Sequence, residues 1–405
     1  MPVFSVVVPS YGNVEYISQC LDSLIAQSFM DWEAIVVDDC SCDGSLALVG
    51  IYAEKDSRII SVAKSRNEGV HCARKTGVEK ASGDYIVFID PDDSFDQDAL
   101  RLLKGALDSG NMDVLHYGIN VNACEVSDDM RLSFESYVNN PCPELCDSEI
   151  LGYAFDAKLG YLQDWRVTQR VYAADLAKRA FSQMIDCRLE RAEDSYEYFV
   201  LASFASCQIT RNDIRALNYN YGRGVTGASS LSVAEFLNDA RSFKKCIDAI
   251  GQYALSGGEP SLMMAKMAAG AESKLMDLLF NDWSLRLNNI AVEKIYWLMG
   301  GSKDFDWLSR PFRPERHPLK IIQMALRSIA VFAICTHIIT HWGSLSEFGG
   351  NENRFREAEQ FLQLGYITSV FANRKQAIRL IANTTHHLNG NIDTVKNTNK
   401  LIQRS

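Results

Sequence analysis

Between Tyr85 and Phe95 the chain reads Tyr-Ile-Val-Phe-Ile-Asp-Pro-Asp-Asp-Ser-Phe, an apolar run that stops at three carboxylates packed around a proline. β-Branched and aromatic side chains in an unbroken row argue for a buried strand. Pro91 ends it, because proline has no N–H for the ladder and fixes its own φ. Carboxylates this dense repel one another unless something positive sits among them. A hard divalent cation would relieve the repulsion, and Mg²⁺ characteristically uses one or two carboxylates plus substrate phosphates. The plainer reading is an acidic turn, since Asp, Ser and Pro are ordinary turn formers.

The preceding residues weigh against the plainer reading. Val3–Val8 is a short apolar strand running into the turn cluster Pro9-Ser10-Tyr11-Gly12-Asn13. From Val14 the apolar period becomes helical, with Ile17, Leu21, Leu24 and Ile25 on one face and Asn13 as the N-cap. Ala34–Val37 is a second strand, closed by Asp38-Asp39-Cys40-Ser41-Cys42-Asp43-Gly44-Ser45 and followed by a helix to Lys55. Arg58–Val62 is a third strand. Residues 66–80 read as helical behind a loop at Arg66–Gly69, and Ser82-Gly83 breaks that helix before Tyr85. Strands alternating with helices imply βαβ units and a mainly parallel sheet. In such sheets ligands bind beyond the carboxyl ends of the strands. Three strand ends here are polar or acidic, at Pro9–Asn13, Asp38–Ser45 and Asp90–Ser94, and are expected to converge on one edge.

Ser5-Val6-Val7-Val8-Pro9-Ser10-Tyr11-Gly12, Val36 through Ser45, Asn67-Glu68-Gly69-Val70-His71-Cys72-Ala73-Arg74 and Gly83 through Asp93 resemble the motifs of the family 2 glycosyltransferases, whose nucleotide-sugar-binding fold is called GT-A. The resemblance implies a nucleotide-diphosphate sugar donor, a divalent metal (Mn²⁺ or Mg²⁺) and inversion at the anomeric carbon. It places Tyr11 in a stack near the donor base beside Pro9, and makes Asp39 a hydrogen-bond acceptor for that base, uracil being the common case. Arg74 falls where the family has a basic residue near the donor phosphates. Asp90 and Asp92 occupy the two acidic positions of the Asp-x-Asp signature. By that likeness Asp92 binds the metal, Asp90 faces the ribose or the metal, and Asp93 supports them. Cys40 and Cys42 depart from the usual Gly and Thr, and Lys75 replaces a frequent Asn.

Leu103–Ala106 belongs to a helix and Val114–Val121 to the next strand. Asn122–Cys146, polar and of weak period, reads as an insertion or lid over the acceptor side, or as a surface loop. Trp165-Arg166-Val167-Thr168-Gln169-Arg170-Val171-Tyr172 is similar to the family's segment that closes the sheet near the sugar. Arg191-Ala192-Glu193-Asp194 opens a helix, where carboxylates also serve the helix dipole. The family carries a Glu-Asp pair here whose aspartate is the catalytic base, and an inverting transfer needs a base for the acceptor hydroxyl. Asp194 is the candidate, with Glu193 second. Leu217–Gly224 resembles the Tyr-Tyr-x-Arg segment ending the fold, so Arg223 either stabilises the departing diphosphate or makes a surface ion pair. The expected division is residues 1–120 for the nucleotide-sugar half, 121–230 for the acceptor-side half and 231–405 for a C-terminal α-helical domain.

Within that helical part Phe236, Ala240, Phe243 and Ile247 share one face, and Met263, Met267, Ala271 and Leu275 another, a spacing that suits core packing. Residues 301–318 read as a Pro- and Arg-containing connector. Leu319–Trp342, a mostly apolar helix, is open to two readings: core, or a helix in the membrane interface. Its longest apolar run falls short of the roughly 20 residues a spanning helix needs. His337 and His341, and later His386-His387, have no third ligand in view and are not expected to bind metal. A formal net charge of −10 argues against a general nucleic-acid binder, though not against a local basic site for phosphates. Eleven cysteines without paired metal spacing suit free thiols in a reducing cytoplasm. The N-terminus shows no secretory signal. The expectation is therefore a cytoplasmic enzyme, with peripheral contact on the inner membrane face left open, that moves a sugar to a glycan or lipid-linked glycan acceptor in bacterial surface polysaccharide synthesis. Its C-terminal helices would position the acceptor, dock at the membrane or mediate homo-oligomerisation. A metal-dependent nucleotidyltransferase and a non-catalytic nucleotide-sugar or glycan-binding module remain the alternatives.

Overall fold

The apolar rows become adjacent strands: β1 (Phe4–Ser10) lies between β2 (Trp32–Asp38) and β4 (Tyr85–Phe88), with β3 (Ile59–Ala63) outside β2, all in parallel. The structure is a computed structural model and describes residues 1–124, 126–223, 231–256 and 261–286. Every residue of β1 and β2 is buried, as strands covered by helices on both faces must be. Each fully buried Val or Ile contributes about 1.5–3 kcal/mol relative to exposure, an upper figure because unfolded chains already hide some surface. The covering helices are α1 (Ile17–Ile25), α2 (Ser45–Lys55) and α3 (Val70–Lys80). At Gly77 α3 crosses β1 so closely that a Cβ would lie 2.3 Å from Val7 Cγ1, so only glycine fits.

The second half turns the sheet mixed. It adds β5 (Ser94–Phe95), β6 (Val114–Ala123), β7 (Leu145–Cys146), β8 (Arg170–Ala173) and β9 (Cys207–Tyr221). The order is β3-β2-β1-β4-β8-β6-β9-β5, with β7 also on β9. Strand β8 runs antiparallel to both β4 and β6, while β9 is parallel to β6 and antiparallel to β5 and β7. The helices here are α4 (Ala99–Asp108), α5 (Asp128–Val138), α6 (Ser148–Phe155), α7 (Ala174–Ser182) and α8 (Glu193–Phe204).

Two local expectations are corrected. Asn13 is not the N-cap of α1. Its side chain accepts from the Tyr11 N–H at 3.0 Å, and Tyr16 precedes the helix with no side-chain cap. The segment Asn122–Cys146 is not merely a loop, for it holds α5 and the short strand β7. Ser127 caps α5 by accepting from Met130 N at 3.3 Å, and Asp128 and Asp129 occupy its first turn, where the dipole favours them. Only Val138 of α5 is buried, which is why its period is weak.

Met1–Ser230 with Ala234–Asn281 form one compact unit. It includes all but the first residue of α9 (Val233–Leu255) and most of α10 (Leu262–Arg286). Phe236, Ala240 and Phe243 are buried on α9, and Met267, Ala271 and Leu275 on α10. A second unit comprises Leu231–Val233 and Asp282–Ser405. The connector 301–318, Leu319–Trp342, both histidine pairs and the tail lie outside the described residues. Among the described residues no helix is long and apolar enough to cross a membrane, and the ten cysteines there are free.

Candidate active site

Register brings the three strand ends level. Ser10 pairs with Asp38 across β1 and β2, and Val7 pairs with Phe88 across β1 and β4, with Ile89 N donating to the Val7 carbonyl at 3.1 Å. Loop contacts then stitch the first two ends together: Gly12 N donates to Ser41 Oγ, Asn13 N to Ser45 Oγ and Val14 N to Asp43, each at 3.0 Å. Pro9 is buried inside β1, whereas the Tyr11 ring is 53% exposed at the rim. Asp39 is buried and its carboxylate accepts from Glu68 N at 3.0 Å and Gly69 N at 2.6 Å. Gly69 supports this with φ +88°, a conformation L side chains rarely adopt. Asp39 thus ties the loop before α3 to the end of β2.

Arg74 is the hub of the site. Projecting from α3 and only 2% exposed, it donates to Asp90 at 3.1 Å, Asp194 at 2.6 Å, Glu197 at 3.0 Å and Glu193 at 3.2 Å. Burial alone would weaken its positive charge, but Asp194, Glu197, Asp90 and Glu193 override that and hold it protonated. Expected beside donor phosphates, the guanidinium instead faces four carboxylates. Glu197 also meets His71 Nδ1 at 2.8 Å, and His71 Nε2 faces the Ile185 carbonyl at 3.0 Å. Both imidazole nitrogens therefore face acceptors.

Asp194 and Glu193 open α8, where the helix dipole favours negative charge. Burial nevertheless pushes both carboxyls up, and the Arg74 guanidinium pulls against that rise. With its side chain 21% exposed, Asp194 keeps an open side. A carboxylate raised toward neutral pH is a stronger base than a solvated one. The turn before it is strained, since Ala192 has φ +64°. Ser242 of α9 holds that turn, accepting from Glu190 N at 3.1 Å and Arg191 N at 2.8 Å.

Asp92 is pushed up to about 6, first by burial and then by the charge of Asp90. Asp93 is buried, accepts from Asn220 N of β9 at 2.8 Å through Oδ1, and leaves Oδ2 without a partner. The three carboxylates expected around a cation are not gathered as a set. Asp93 turns to β9 and Asp90 to Arg74, and among the described residues no three His, Cys, Asp or Glu side chains converge to hold an ion. The residues fit a cation only as the pair Asp92 and Asp90, whose mutual repulsion it would relieve, with phosphate oxygens completing the shell. Arg223 lies 3.5 Å from the Asp92 carbonyl, its guanidinium 5.1 Å from the Tyr16 ring.

Glu197 and Ser242 are absent from the sequence reading, and His71 stands there only within the motif before Arg74, with no role of its own. A signal existed for Glu197 and His71: Glu193, Asp194 and Glu197 lie three and four apart on one helix face, as do His71 and Arg74 on another. Ser242 has none, because its role depends on where α9 docks.

Residues 5–163 match Glycosyl transferase family 2. The chain is 40% identical over 100 residues to TuaG of Bacillus subtilis strain 168, a glycosyltransferase assigned to teichuronic acid biosynthesis; the match covers 25% of this chain and 40% of TuaG. It is 30% identical over 195 residues to EpsJ, an uncharacterised glycosyltransferase of the same organism, covering 48% of this chain and 54% of EpsJ. This chain thus spans about half or less of the length of these relatives. A solved structure of Staphylococcus aureus TarS 1-349 in complex with UDP-GlcNAc superposes with a TM-score of 0.48 at 20% identity, covering 78% of this chain and 92% of that one. Asp90 and Asp92 follow β4, Arg74 joins Asp90 to Glu193 and Asp194, and residues 5–163 are a segment of Glycosyl transferase family 2.

Proposed function

We propose that this chain is an inverting glycosyltransferase. It takes a sugar from a nucleotide-diphosphate donor, a UDP-sugar first among them, and gives it to a glycan or lipid-linked glycan acceptor of a bacterial surface polysaccharide. The observation that carries the reading is the Arg74 bridge, which joins the strand-end acid Asp90 to Asp194 although the two are far apart in sequence. Pro9, Tyr11 and Asp39 would line the base, and Asp92 with Asp90 would hold Mn²⁺ or Mg²⁺ against the diphosphate. That ion supplies charge neutralisation for the leaving group, and Arg223 adds a guanidinium from the end of β9. Asp93 supports Asp92 from behind through β9. Asp194 removes the acceptor hydroxyl proton as that oxygen attacks the anomeric carbon from the face opposite the diphosphate. Arg74 orients Asp194 and keeps it from full protonation. Residues 1–120 serve the donor, 121–230 the acceptor, and 231–405 form a helical part that presents the acceptor or mediates membrane docking or self-association. The likeness to TuaG supports the polysaccharide setting.

The test is turnover of a panel of nucleotide sugars with Mn²⁺ or Mg²⁺ and after chelation, with product configuration read by NMR. Release of nucleoside diphosphate and an inverted linkage are expected, both abolished by Asp194→Ala and Asp92→Ala. Pyrophosphate release would point to a nucleotidyltransferase instead. Undiminished biological activity of both variants would point to a non-catalytic binding module.

A further inference from the structure

A second charged cluster lies in the acceptor-side half. Arg166, just ahead of β8, pairs with Asp164 at 2.6 Å, and its guanidinium sits 4.7 Å from the Phe134 ring and 5.2 Å from the Tyr219 ring. Lys274, from α10, sets its ammonium 4.4 Å from the Trp165 ring and 5.0 Å from the Tyr161 ring, and donates to the Tyr137 hydroxyl at 3.1 Å. Arg170, wholly buried, contributes a third cation 3.5 Å from Asp164. Arg166 and Arg170 share the Asp164 carboxylate, whose charge Lys274 also feels. In a protein of net charge −10, three cations around one carboxylate is a local excess of positive charge among the described residues.

Burial pulls the Lys274 ammonium down to about 8, Asp164 opposes that, and Arg166 and Arg170 reinforce it. Partly buried positive charge without a full counterpart is costly, and an incoming anion would balance it. The cluster adjoins the strand-end acids through β9, because Tyr219, whose ring lies 5.2 Å from the Arg166 guanidinium, precedes Asn220, whose N–H donates to Asp93 at 2.8 Å. It also reaches solvent, since Tyr137 is 41% exposed.

We propose that Arg166 and Lys274 form an anion-binding acceptor subsite that takes a glycan bearing a phosphate or carboxylate. The proposal rests on the sugar-transfer reading, in which Asp194 receives the acceptor hydroxyl.

Calorimetric titration of the full chain at 0.15 M salt with methyl β-glucoside 6-phosphate, methyl β-glucuronide and neutral methyl β-glucoside tests it without requiring turnover. A charged glycoside should bind roughly tenfold or more tightly than the neutral one, as a charge-assisted hydrogen bond allows. The stronger of the two charged ligands identifies phosphate or carboxylate as the preferred group. Lys274→Gln should bring that ligand down to the neutral level, and Lys274→Arg should restore it. Equal binding of all three, binding of none, or an equal loss for charged and neutral ligands in Lys274→Gln overturns the proposal. Donor hydrolysis measured on the same samples reports separately on the transferase reading. Its absence would sink that reading while the charge preference stays readable.

Discussion

Replacing Asp92 with asparagine should make the ligand-free protein more stable while removing its function. In the fold the Asp92 carboxyl is pushed from 3.8 to about 6 by burial and by Asp90. A rise of roughly two units at about 1.4 kcal/mol each corresponds to about 3 kcal/mol of lost stability at neutral pH. Because the folded value lies above the unfolded one, the penalty is absent below pH 3.8, grows from there, and is complete above about 6. An amide of the same size carries no charge but still gives up water, so about 1–2 kcal/mol should be recovered. For a unit of this size that is a rise in Tm of about 2–6 °C. Scanning calorimetry in chelator at pH 7.5 and 4.5 reads it. The variant should melt higher at pH 7.5, with the gap falling below half at pH 4.5. Adding Mn²⁺ and a nucleoside diphosphate should then raise the midpoint of the wild type and not of the variant. A variant that melts at or below the wild type at pH 7.5, or a gap that ignores pH, would refute the electrostatic reasoning.

Three further outcomes follow from particular contacts. Ser242→Ala strips two backbone N–H groups of their acceptor in the turn before Asp194. Steady-state kinetics should show kcat falling roughly tenfold with donor KM little changed, since small displacements of a catalytic group are expensive; an unchanged kcat would clear Ser242 of any positioning role. Cys40 adopts φ +68°, strained for a residue with a Cβ, so Cys40→Gly should gain about 1 kcal/mol in urea unfolding, and a loss would contradict the strain argument. His116 is buried and held down to about 3, chiefly by burial and then by Arg170. Between pH 6.5 and 3 the unfolded imidazole takes a proton that the folded one refuses, so stability falls as pH drops. Relative to His116→Asn, the wild type should lose about 1.4 kcal/mol per pH unit over that window by urea titration, and parallel curves would show His116 to be silent.

The apolar rows at Phe4–Ser10, Trp32–Asp38 and Tyr85–Phe88 made the parallel half of the sheet legible, because a buried strand and its terminating turn are written within a dozen consecutive residues. The acids at those strand ends were legible for the same reason, and so was the carboxylate pair opening α8. Helix α5 and strand β7 were not, since the first has a single buried residue and the second is two residues long and defined only by its pairing with β9.

The chain's own pattern therefore determined which residues could do chemistry and on which strand or helix end each one stands. Tertiary packing alone decided what each of them faces. Docking α3 against α8 gave Arg74 to Asp194 rather than leaving it to a phosphate, β9 claimed Asp93, and α10 carried Lys274 to the Tyr137 hydroxyl. The physical reason is range. Periodicity and turn chemistry act between neighbours along the backbone, whereas a buried charge takes whatever partner packing brings within about 3 Å, however distant in sequence.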